Sequence, residues 1–115
     1  MLKRSLSIAV LALAGCATVQ LPADRLQSSE ASIRSAEEMG ASHIPAARLH
    51  VQFAKDQTAA AKQLAADGDE RAVLVLARAE ADAELALGLA RQQAVHAEAL
   101  RAAEDLKAVQ ARPSP

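Results

Sequence analysis

Apolar residues recur three and four positions apart along most of this chain, the period of a helix that buries one side. Leu26, Ile33, Ala36 and Gly40 fall on one face of a helix expected over residues 22–39. Glu30, Arg34 and Glu38 sit four apart on another face, where they are expected to pair in water. Gly40 stops this helix, and Ser42-His43-Ile44-Pro45 forms the turn, because proline pushes the residue before it out of the α region and restarts a helix well. The second helix is expected to reach about residue 66, with Ala46, Leu49, Phe53, Gln57, Ala60 and Leu64 as its inward stripe. Asp67-Gly68-Asp69-Glu70 then supplies a glycine stop and, in Asp69, a cap for the next helix.

From Asp69 to Val109 there is no proline and only Gly88 as a glycine, so one helix of about 41 residues, roughly 60 Å, is expected. It carries two stripes. Val73, Leu76, Ala83, Leu87, Ala90 and Ala94 occupy its first half, and Leu85, Val95, Ala99, Ala102, Leu106 and Val109 run towards its end. From Val95 onward the second stripe keeps a 4-3-4-3 spacing, the repeat of a helix-packing seam. An up-down-up path would leave the last helix overshooting the first turn by about 30 Å, over residues 91–109. The expected fold is therefore all-α: an elongated three-helix antiparallel bundle or helical hairpin with a long C-terminal helix.

Composition agrees and narrows the function classes. The 115 residues are 51% hydrophobic but only 1% aromatic, with 30 alanines, no Trp, no Tyr and one Phe. That is a helix-former's composition, poor in the β-branched and aromatic residues of sheets. Net charge is −1, with no basic run and no aromatic platform, which argues against nucleic acid as a partner.

The amino-terminal residues read differently. Lys3 and Arg4 precede an apolar run from Leu6 to Leu13, an arrangement typical of a secretory signal and too short to span a bilayer. Leu13-Ala14-Gly15-Cys16 resembles the lipobox of bacterial lipoproteins, which implies cleavage between Gly15 and Cys16 and a diacylglyceryl and N-acyl lipid on the Cys16 sulfur and amine. The resemblance implies a signal peptide over residues 1–15, a lipidated tether over 16–21, a helical domain over 22–110 and a disordered tail over 111–115. Ala17, where an aspartate would resemble an inner-membrane retention signal, favours the periplasmic face of the outer membrane. Removing Lys3 and Arg4 from the 13 Lys and Arg leaves 11 against 14 Asp and Glu, a mildly acidic chain with no polybasic grip on lipid.

Further along, Pro22, Ile33-x-x-Ala36-Glu37, Gly40-Ala41, Pro45-x-x-x-Leu49, Gly68-Asp69-x-x-Ala72, Leu76-Ala77-x-Ala79 and Asp82-Ala83-x-Leu85-Ala86 follow one another in order. This series resembles the small alanine-rich bacterial lipoproteins whose domain is known only as domain of unknown function 4398. The resemblance covers most of residues 22–90 and implies no activity and no catalytic residue.

Candidate chemistry is sparse. His43, His50 and His96 lack a Cys or His partner four residues away, so no helical metal site is expected. Asp67, Asp69 and Glu70 lack the alternating ligands of a calcium loop. Glu80, Asp82 and Glu84 are near in sequence, as carboxylates on a solvated helix often are. Phosphate-binding and nucleophile motifs are absent from the sequence. The expectation is a non-catalytic, cofactor-free, lipid-anchored scaffold or interaction module. Its partner would be a second copy or a helical envelope protein, met through Val95, Ala99, Ala102, Leu106 and Val109. The alternative is a small-ligand or cation-binding lipoprotein, which would require a buried polar pocket.

Overall fold

The structure, a computed structural model, describes residues 18–113. They form three α-helices, α1 (Ala23–Glu38), α2 (Pro45–Ala66) and α3 (Arg71–Gln110), with a short 3₁₀ turn (Ala41–His43) between the first two. The molecule is elongated, and α3 is its spine: it packs against both α1 and α2, which touch each other far less.

Local chemistry sets the turns. Gly40 adopts φ 84°, the left-handed geometry that a side chain disfavours, and its N–H donates to Glu37 O at 3.0 Å. Ile44 is extended, and Pro45 opens α2 where its missing N–H leaves nothing unpaired. Gly68 repeats the left-handed stop at φ 76°, with the Asp69 N–H donating back to Leu64 O at 2.9 Å. α3 starts two residues later than the sequence suggests, at Arg71 rather than Asp69. Asp69 still caps it, its Oδ1 accepting the Arg71 N–H at 2.9 Å. The adjacent Arg71 guanidinium, hydrogen-bonded to Asp69, holds that carboxyl below its ordinary range.

The core is a seam of methyl groups. α2 buries Ala47, Val51, Ala54, Thr58, Ala61 and Ala65, and α3 buries Ala72, Leu76, Ala79, Ala83, Ala86 and Ala90, both in a 4-3-4-3-4 rhythm. α1 adds Ser29, Ile33 and Ala36. This corrects the expected inward face of α2, which lies one residue, about 100°, around the helix from the stripe based on Leu49 and Phe53. Those two side chains are 50% and 43% exposed, whereas Ala54 and Ala61 are fully buried. Bulky residues at the seam would hold the helices apart, whereas alanines let backbones approach and place Leu49 and Phe53 at the margin. On α3, Leu76, Ala83, Leu87 and Ala90 are buried as expected, but Val73 and Ala94 are exposed.

Ion pairs lie across the shallow groove between α1 and α2. Lys62 Nζ donates to Glu30 Oε1 at 2.9 Å and Lys55 Nζ to Glu37 Oε1 at 2.5 Å. Glu30 thus pairs across the groove rather than along its own helix. Lys62 lowers the Glu30 carboxyl pKa through its hydrogen bond and charge. This pair therefore stabilises the fold above the ordinary glutamate range and stops doing so as pH falls through the lowered value. Exposure to water and salt keeps the effect small.

Candidate functional site

The two ends of the bundle differ. At one pole, the Val19 N–H donates to Ala65 O at 3.0 Å, fixing the segment that enters α1 beside the α2–α3 turn. Gly15 and Cys16, the expected cleavage and lipidation positions, lie outside the described residues. At the other pole, Ile44 of the α1–α2 turn and Leu89 of α3 pack against the end of the core. Beyond Ala90, α3 continues alone for 20 residues, about 30 Å, and every described residue from Arg91 onward is exposed except the half-buried Ala97.

Val95, Ala99, Ala102, Leu106 and Val109 all lie on this projecting segment, with Val95 65%, Leu106 58% and Val109 60% exposed. Leu85, 46% exposed, extends the same stripe back alongside the bundle. At 100° per residue the stripe lies about 150° around α3 from the buried seam. It is therefore a second apolar face, turned away from α1 and α2. The buried seam itself continues into Gln93, Ala97, Leu100, Glu104 and Lys107, a largely polar run that calls for no cover.

Where α3 leaves the bundle, an open notch of about 570 Å³ lies between Ile44 and the side of α3, lined also by Leu89, Gln92, Gln93, Val95, His96 and Ala99, so the stripe forms one border of it. His96 is the histidine nearest the projecting surface, as its sequence position suggests. His43 is exposed in the turn.

His50 has a different place, one that sequence spacing does not reveal. Its Nδ1 lies 2.7 Å from Asp82 Oδ1, and Gln57 Nε2 donates to Asp82 Oδ2 at 2.9 Å, so two residues of α2 grip one carboxylate of α3. Phe53 meets the His50 ring edge-on, with centroids 6.0 Å apart. The cluster is half-buried and ties α2 to α3. Gln57 Oε1 is buried and has no hydrogen-bond partner. Asp82→Ala is expected to lower unfolding stability by about 1–3 kcal/mol, because it leaves two half-buried donors unmatched. Asp82→Asn should cost less, since a turned amide can donate to Gln57 Oε1. Urea titration of the two variants checks the order.

The three neighbouring carboxylates do not converge. Glu80 faces Arg25 at 4.0 Å, Asp82 is held by α2, and Glu84 is exposed. Asp67 accepts from Gln63 at 3.1 Å, and Asp69 is engaged by Arg71. Among the described residues, no group of three or more His, Cys, Asp and Glu is placed to hold a metal ion. No helix among them is long and apolar enough to cross a membrane. No family model, curated protein or solved structure matches the chain.

Proposed function

We propose that this chain is a non-catalytic, lipid-anchored envelope protein on the periplasmic face of the outer membrane. Cys16 carries the acyl chains, and the helical domain is a stalk that presents the projecting end of α3 to another helix. The observation that carries this reading is the polarity of the bundle. The segment leading from Cys16 joins at the α2–α3 turn, while the exposed stripe of Val95, Ala99, Ala102, Leu106 and Val109 lies at the opposite pole. Two acyl chains, at roughly 0.8 kcal/mol per buried methylene, would hold one end at the lipid surface without help from the polypeptide.

The reading is tested on full chain purified from membranes and returned to vesicles. Fluorophores are placed at Glu70, near the anchored pole, or at Ala108, near the free one. Energy transfer to a lipid-borne acceptor should be strong from position 70 and nearly absent from position 108, which α3 carries about 55–60 Å away. Equal transfer from both positions would mean that the stalk lies flat or is not held at its amino-terminal pole.

A further inference from the structure

We propose that the outer stripe of α3 pairs with the same stripe of a second copy of this chain, parallel and in register. This rests on the anchored-stalk reading, which places two copies side by side with the same end at the membrane, and it names the partner that the stripe takes. The stripe runs through Leu85, Gly88, Gln92, Val95, Ala99, Ala102, Leu106 and Val109, eight positions in unbroken 3-4 alternation, and it faces away from α1 and α2. On a straight helix such a repeat drifts about 20° per heptad, the drift that a left-handed coiled coil absorbs.

Gln92 decides the register. It is the only polar side chain in the stripe and occupies a position equivalent to Leu85, Ala99 and Leu106. In a parallel in-register pair it meets Gln92 of the other copy, and the two amides can donate and accept across the seam. A slip of one heptad sets it against Leu85 or Ala99. Any antiparallel pairing sets it against Gly88, Val95, Ala102 or Val109. All these alternatives confine an amide among apolar groups.

The flanking charges do not oppose this pairing. Parallel pairing sets Arg91 opposite His96, Glu98 opposite Ala103 and Asp105 opposite Gln110 of the other copy, with no two carboxylates facing each other. Antiparallel registers mix the signs: the eight-layer one sets Glu98 against itself but also Arg91 against Asp105 at two places, so Gln92, and not charge, decides the orientation.

Gly88 fits this account as well. A Cβ there would meet nothing within 4 Å, so packing within the chain does not require a glycine. Facing its own copy, with Ala99 and Ala102 above, it allows two backbones to approach closely. Attachment to a common surface raises the local concentration of copies, which a seam with glycine or alanine at three of its eight positions needs.

The test is oxidative crosslinking of the full chain in its own membranes, with single cysteines introduced on and off the stripe. Ala99→Cys and Ala102→Cys should each give same-position disulfide dimers roughly tenfold or more above Ala94→Cys and Ala108→Cys, because only the stripe brings equivalent β-carbons within disulfide reach. Adding Gln92→Leu should preserve pairing but admit heptad-shifted products, seen when Val95→Cys and Ala102→Cys chains are mixed. Crosslinking equal at all four positions, a dominant 99-to-102 product, or capture of a protein of different mass instead of a second copy would overturn the proposal. Absence of dimers from chains that remain in the membrane overturns the pairing alone. Chains recovered in the aqueous fraction, with same-position dimers intact, overturn the anchored reading and leave the pairing standing.

Discussion

Ala83→Leu is expected to destabilise the bundle by about 3 kcal/mol. Ala83 is fully buried, midway along the seam that α3 offers to its neighbours. The residues packed with it in the core include Ala36, Ala47, Ala54 and Ala86, all fully buried, so three added carbons find no space unless helices separate. Separation would expose the methyl groups whose close packing holds the bundle together. Alanine and leucine have nearly equal helix propensity, so the loss is not a local helix effect. Ala81→Leu, on the exposed face of the same helix turn, serves as the control and should change stability by about 0.5 kcal/mol or less. Urea midpoints for the two variants give the comparison. Equal midpoints would show that the seam tolerates bulk and that close helix approach is not what organises this core.

Cys16→Ser is expected to move the protein from the membrane to the aqueous fraction while leaving the bundle's urea midpoint unchanged. Under the anchored-stalk reading, the thiol is the attachment point for diacylglycerol, and a serine cannot form that thioether. Each acyl chain of about 16 carbons contributes on the order of 10 kcal/mol of partitioning at roughly 0.8 kcal/mol per methylene, so a doubly acylated chain does not dissociate on experimental timescales. Little in the rest of the molecule replaces that hold. No described helix is long and apolar enough to cross a membrane, and the sequence has no polybasic cluster to bind anionic lipid. The described bundle begins beyond Cys16. Fractionation with and without detergent checks the first half of the expectation, and denaturation of the bundle checks the second. Unchanged membrane retention of the serine variant would refute the role given to Cys16.

Turn chemistry and length arithmetic were the most legible features of the sequence. Gly40, Pro45 and Gly68 mark the helix ends to within two residues because each imposes a backbone constraint that tertiary packing does not reverse. The absence of a breaker after Gly68 likewise foretells a continuous α3 that outruns its partners. The inward face of α2 was misleading for a physical reason. A hydrophobicity ranking turns Leu49 and Phe53 inward, but in an alanine-rich bundle the closest approach belongs to the smallest side chains. On α2, the two candidate stripes differ by one residue and both keep helical spacing. The His50–Asp82–Gln57 cluster was invisible for another reason: its members are 25 and 32 residues apart, and only the antiparallel docking of α2 on α3 brings them together. The exposed stripe beyond Ala90 was legible as a 4-3-4-3 seam, and its orientation away from α1 and α2 emerged only once the buried seam of α3 was known.

The most direct measurement is the intact mass and amino-terminal peptide of the protein recovered from bacterial membranes. The account predicts a chain that begins at Cys16 and is heavier than its amino acids by a diacylglyceryl group and an amide-linked acyl chain. A membrane-recovered chain that still carries residues 1–15, or one that begins at Cys16 with an unmodified thiol, would contradict it.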